Sequence, residues 1–239
     1  MNTKFYLSSL TQALIAAVLV VAILMVGFFF VEPQVGRAQD TSGPFTINQV
    51  ITGETSFIVD AQNTTLSGSL NGITGGTANG STTVVVQTNS PTGYVMDIAF
   101  FNNGTPETMR GRVSGSSAIR DYVASSTGST TNPFEPSFLF STASTAAVFA
   151  YSVSAVDSSD LDQSFLNNGT SCNAGAGYTV NRCWMTPATT TFKIIDRDTD
   201  AVSGATSTLH FRVYVPNNPN PGVVADTYTA TATLTVAPQ

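Results

Sequence analysis

The chain has 239 residues, only 10% of them charged, with 9 Lys and Arg against 15 Asp and Glu for a formal charge of −6. So sparse and negative a charge excludes the clustered cations that nucleic acid or an anionic lipid surface demands of a partner. Solubility falls instead to 35 Thr and 25 Ser, short neutral side chains that suit strands and are common in exported proteins.

The first element is a run of 19 uncharged, almost wholly apolar residues, Ala13 to Val31. As a helix it rises by about 28 Å, close to a hydrocarbon core of about 30 Å. Lys4 ahead of it and Pro33, Gly36, Arg37 and Ala38 behind it give the three-part plan of an export signal, with cleavage between Ala38 and Gln39. The other reading of residues 1–38 is an uncleaved amino-terminal membrane anchor. In both, the long carboxyl-terminal part is extracytoplasmic, either secreted or held at the cell surface.

Residues 39–44 read as a linker, and 45–239 as one β domain. The expected strands are Phe45 to Ile51, Ser56 to Asp60, Thr82 to Thr88, Tyr94 to Phe101, Ser137 to Phe140, Ala147 to Val156, Thr190 to Ile195, Leu209 to Val215 and Asp226 to Val236. In the last, Tyr228, Ala230, Ala232, Leu234 and Val236 alternate with Thr, so one face is buried and one wet. Ile119, Tyr122 and Val123 have the spacing of one or two helical turns. Alternating strands without intervening helices predict an all-β fold, an antiparallel β-sandwich of Ig-like or jelly-roll-like kind behind the amino-terminal hydrophobic helix.

The insertion from Asp157 to Pro187 carries the two cysteines of the chain, Cys172 and Cys183. In an exported chain a lone pair at this spacing predicts a disulfide pinning a loop, worth about 3 kcal/mol on a chain-entropy estimate. Two cysteines with no neighbouring His do not complete a zinc site.

Asp196, Asp198 and Asp200 stand at alternate positions, as at the opening of a calcium-binding loop. Ala201 replaces the glycine of that pattern and Ser207 its bidentate Glu, so a solvated hairpin is the competing reading and calcium the one cofactor in question. His210, the single histidine, falls on the polar face of its strand, and no nucleophile motif accompanies it. Trp184 with nearby Tyr178 forms either a platform for a sugar ring or, for Trp184, a small local core against the disulfide.

The phrases Val84-Val85-Val86-Gln87-Thr88-Asn89-Ser90-Pro91-Thr92-Gly93-Tyr94 and Asp226-Thr227-Tyr228-Thr229-Ala230-Thr231-Ala232-Thr233-Leu234-Thr235-Val236 resemble exported bacterial surface β-sandwich proteins of the WxL-like and Ig-like kinds. The tryptophan motifs of the WxL family are absent, since Trp184 sits in Cys-Trp-Met. The resemblance implies a structural or adhesive role at the cell envelope without catalysis. Two alternatives stand beside it. One is a subunit of a surface fibre that assembles by strand addition, and the other a carbohydrate-binding module. Partners on these readings are other surface proteins, glycans, further copies of the chain, and the membrane through the amino-terminal helix if it is uncleaved.

Overall fold

The computed structural model describes residues 3–30, 46–102, 104, 106–114, 117–123, 136–140 and 145–239. The chain divides into two units, Met1–Val50 and Ile51–Gln239. In the first, α1 runs from Thr3 to Phe30, and its Leu10–Gly27 stretch is long and apolar enough to cross a membrane. From Ala13 to Gly27 the sequence is apolar on every side of the helix, a pattern shared by export signals and membrane anchors. The expected cleavage point, Ala38 and Gln39, lies outside the described residues.

Among the described residues the second unit contains ten strands: β1 (Thr55–Val59), β2 (Gly76–Thr88), β3 (Tyr94–Phe101), β4 (Met109–Gly111), β5 (Ala118–Asp121), β6 (Val148–Ala155), β7 (Phe192–Arg197), β8 (Ala201–Val215), β9 (Tyr228–Thr229) and β10 (Thr231–Pro238). They form a seven-stranded sheet in the order β1-β2-β8-β6-β5-β4-β9 and a three-stranded sheet in the order β10-β3-β7. The larger sheet curls into a half-barrel. The mostly-β expectation with one apolar helix is met.

Alternation explains most of the strands. In β3 the side chains of Tyr94, Met96, Ile98 and Phe100 all point inward and are buried. β8 turns Leu209, Val213 and Val215 to the same core, where they meet Val84 and Val86 of β2 and Phe149, Tyr151 and Val153 of β6. β6 is buried on both faces as far as Val153. Its outward Val148 and Ala150 are covered by a second cluster around Trp184 and Tyr122, with Phe140 and Tyr214 packed against it.

Four local expectations change. Thr46–Ile51 carries β sequence but does not itself form a strand, and Phe45 lies outside the described residues. Ser137 to Phe140 contributes a single bridge, Ser137 to Trp184, rather than a strand. The helical spacing of Ile119, Tyr122 and Val123 belongs to no helix: Ile119 lies in β5, because pairing with β4 and β6 satisfies its backbone at a length too short for helix nucleation. β5 joins β6 in parallel, so the sheet is not wholly antiparallel.

The turn Ser90–Gly93 shows why one glycine is required. Gly93 has φ +79° and its N–H donates to the Ser90 carbonyl, while an added Cβ would overlap the Arg197 carbonyl oxygen on the paired strand.

Candidate functional site

The corner between β7 and β8 joins the two sheets, so it is not a hairpin between paired strands. Arg197 holds it. Its Nε donates to the carbonyls of Thr199 (3.0 Å) and Asp200 (3.1 Å), its Nη2 donates to Asp200 (2.9 Å), and its Nη1 reaches both carboxylate oxygens of Asp160 at 2.8 and 2.6 Å. The Asp160 carboxylate is buried, and burial raises its pKa despite the guanidinium beside it.

This arrangement replaces the calcium reading. Asp196 pairs with Lys193 and accepts from Gln239 Nε2 at 2.6 Å, Asp198 and Asp200 are exposed, and a cation already occupies the inside of the turn. Among the described residues no group of three or more His, Cys, Asp or Glu side chains is placed to hold a metal ion. The second acidic stretch is also accounted for. Asp157 caps one short 3-10 turn through the Ser159 N–H, Asp162 caps the next through the Ser164 N–H, and Asp160 between them meets Arg197.

Cys172 and Cys183 are bonded, with Cα atoms 5.7 Å apart. The loop they close is folded around Asn167, which is buried. Its N–H donates to the Gly177 carbonyl at 2.8 Å, and its Oδ1 accepts from Gly169 and Thr179. Tyr178 packs half-buried against the main core, and burial raises its phenol pKa.

Trp184 is 1% exposed and does not offer a face to solvent. The Arg212 guanidinium lies over its ring at 4.2 Å, Phe140 meets it edge-on at 5.5 Å, and its indole N–H donates to the Asn181 carbonyl at 3.1 Å. The expectation of Trp184 and Tyr178 as a sugar platform is therefore corrected, because stacking needs an open ring face and Arg212 and Phe140 cover this one. The small-core reading is nearer, although the indole packs over the outer face of β6 and β8 in the cluster with Tyr122 rather than in the main core that holds the two cysteines.

Two features were hidden in the sequence. First, Ser154 on β6 and His210 on β8 lie side by side, Oγ to Nε2 2.9 Å, on the outer face of the sheet. Burial alone lowers the imidazole pKa from its usual 6.5. Among the described residues no carboxylate hydrogen-bonds to His210, so the pair lacks the orienting acid of a hydrolase trio.

Second, a cleft of about 910 Å³ opens in the second unit, with Phe100, Met109, Phe149, Phe211 and Val213 among its apolar walls. Segment 61–73 and residues 223–232 form its rims. The volume is at the upper end of small-molecule sites, about 300–1,000 Å³. Among the described residues Asp226 is the one charged residue of the lining, and it is already engaged: its carboxylate accepts from the backbone N–H of Val113, Ser114 and Thr227, which lowers its pKa. The cleft therefore combines apolar walls with a rim of amide and hydroxyl side chains and one carboxylate that its backbone donors keep ionised.

Comparison with known protein families, with curated proteins and with solved structures finds no match to this chain. The site is thus read from its own residues.

Proposed function

We propose that the protein is an exported structural or adhesive component of a bacterial cell surface, with no catalytic role, secreted or retained by its amino-terminal helix. The observation that carries this reading is the combination, in one chain, of an all-round apolar helix and a closed Cys172–Cys183 bond. A disulfide persists where thiols oxidise, and the helix is what takes a domain there. The two sheets, sharing one core beneath a Thr- and Ser-rich surface, support a sandwich-like shell of the kind such proteins use. The cleft, whose lining carries no cation and a single carboxylate engaged by backbone amides, supports binding or assembly through apolar and hydroxyl contacts more than through ionic attraction.

Protease treatment of intact cells, followed by non-reducing mass spectrometry of the protein from its host, tests the reading. Digestion of the β domain on intact cells, with a mass two hydrogens short of the reduced chain, is expected. Recovery of the whole polypeptide from the cytosol with both thiols reduced would overturn it.

A further inference from the structure

Two arginine side chains, Arg182 and Arg212, converge on one tryptophan. Arg212 lies over the face of Trp184 at 4.2 Å and over Phe140 at 5.3 Å. Arg182 lies over Phe138 at 5.3 Å, and its Nη1 donates to the Asn181 carbonyl at 3.0 Å. That carbonyl also accepts from Trp184 Nε1 at 3.1 Å, so one guanidinium stands at the rim of the indole whose face carries the other. Among the described residues every ion pair belongs to Lys193 or Arg197, and no carboxylate reaches either of these two cations. The chain has 15 acidic residues against 9 basic ones, so two neighbouring bases that meet no acid are an exception to be explained.

Their hydrogen bonding is incomplete as well. Arg212 Nε donates to Asn79 Oδ1 at 2.7 Å, which leaves both Nη groups of its fork without an acceptor among the described residues. Arg182 Nε is buried and likewise has no hydrogen-bond partner among them. Burial and the neighbouring Arg182 both lower the Arg212 pKa, the sign of a positive charge in partly dry, like-charged surroundings. Like charges at close quarters repel, and a buried donor without an acceptor costs free energy, so an anion held by the pair would relieve both. The aromatic rings meanwhile keep each guanidinium in place before a ligand arrives.

We propose that Arg182 and Arg212 together bind the carboxylate of an acidic sugar, a uronate within an otherwise uncharged glycan. This rests on the adhesive surface reading for its setting and deepens it by naming what is held. A planar guanidinium fork matches a carboxylate through parallel hydrogen bonds. Two cations suit one carboxylate and make no track for a polyanion, which a net charge of −6 would repel. The surface around Arg212 favours a sugar over the carboxyl end of a peptide. Thr77, Asn79 and Ser81 of β2 are exposed and stand in register with Tyr214, Arg212 and His210 of β8, so Arg212 is flanked on its own face by hydroxyl and amide groups that suit sugar hydroxyls. The sugar does not stack on Trp184, whose face Arg212 covers; the arginines are the contact.

The test titrates the full chain in mild detergent, by calorimetry, with a xylo-oligosaccharide that carries one glucuronate and with the same saccharide after its carboxyl is reduced to the alcohol. Wild type is expected to bind the acid, and to bind the alcohol at least about tenfold more weakly, the loss of a charged hydrogen-bonded pair. Arg182→Gln and Arg212→Gln should each weaken binding of the acid by a similar factor. Arg112→Gln, which removes the same charge from an exposed position just after β4, should change it less than about twofold. The acid and alcohol comparison needs no variant, so it holds even if Arg212→Gln loosens the packing on Trp184. Far-UV circular dichroism and the urea midpoint report the fold of each variant. Equal affinity for acid and alcohol, an Arg112→Gln loss as large as the other two, or no binding of either saccharide would each overturn the proposal. So would a preference for an uncharged peptide with a free carboxyl terminus over the glucuronate saccharide. A chain found in the cytosol that still separates acid from alcohol through the two arginines would instead remove the surface reading alone.

Discussion

Arg197 is bound through one nitrogen to both carboxylate oxygens of Asp160, and through the others to the carbonyls of Thr199 and Asp200. One side chain thus fastens the corner between the two sheets to the start of the disulfide-bearing insertion. Arg197→Ala leaves a buried carboxylate unpaired, and the expected loss is about 3–5 kcal/mol in urea unfolding of the oxidised protein. Asp160→Asn should cost less, and the double variant less than the sum of the singles. Loss below about 1 kcal/mol for Arg197→Ala would show that the pair is solvated.

Gly93→Ala should be among the costliest small substitutions. The backbone there has positive φ and no room for a methyl group beside Arg197, so a loss of about 1–3 kcal/mol is expected. Gly222→Ala, with open space around it, should be nearly neutral. Equal unfolding midpoints for the two variants would contradict this account.

Reducing the Cys172–Cys183 bond, or replacing both residues by Ala, should lower stability by about 3 kcal/mol for a loop of this size. Limited proteolysis should then open between residues 167 and 183 before the β strands. First cuts elsewhere would show that the hydrogen bonds around Asn167 hold the loop without the bridge.

Acidification should act on two groups in opposite senses. His210 has a folded pKa below its usual 6.5, so its contribution is complete above pH 6.5 and is lost as pH falls toward the folded value. Asp121 has a pKa raised from 3.8 to about 6, chiefly by burial and against its hydrogen bonds from Thr108. Its contribution is present below pH 3.8 and is lost as pH rises through 6. Asp121→Asn should therefore remove a decline in stability between about pH 4 and 6, and His210→Gln should remove an increase toward 6.5. Chemical denaturation at half-unit pH steps separates the two. Parallel curves for wild type and either variant would refute the assignment.

Trp184 is the single tryptophan, and it is buried under Arg212. Its emission should be blue-shifted and shielded from iodide until the β domain unfolds. Strong quenching in the native state would return the indole to the surface and revive the sugar-platform reading.

The legible part of the sequence was the part governed by period two. β3 coincides with the alternation from Tyr94 to Phe101, and β8 contains that of Leu209 to Val215. The disulfide was legible because the chain has two cysteines, each with one possible partner, behind a stretch that reads as an export signal or anchor. What escaped was set by tertiary neighbours. The Asp196, Asp198 and Asp200 pattern is indifferent to Arg197 turning inward to meet Asp160, and nothing around Trp184 in sequence announces an arginine 28 positions away on β8. β2 and β8 also run longer than their apolar cores, because each supplies the other's hydrogen bonds through Gly- and Ser-rich stretches that alternation alone does not mark. The cleft is a gap between elements, and gaps have no residues of their own to read.

The pairing of β2 with β8 sets an order on the birth of the molecule. Thr83 meets Thr208 across the ladder, their hydroxyls 3.1 Å apart, although 125 positions separate them. A chain made from its amino end must keep β2 waiting until most of the rest has emerged. Long-range closure of this kind is slow. The threonines that line the waiting strand give it water to hold in the meantime, so the same hydroxyls that clothe the finished surface also protect the unfinished one from sticking to its neighbours.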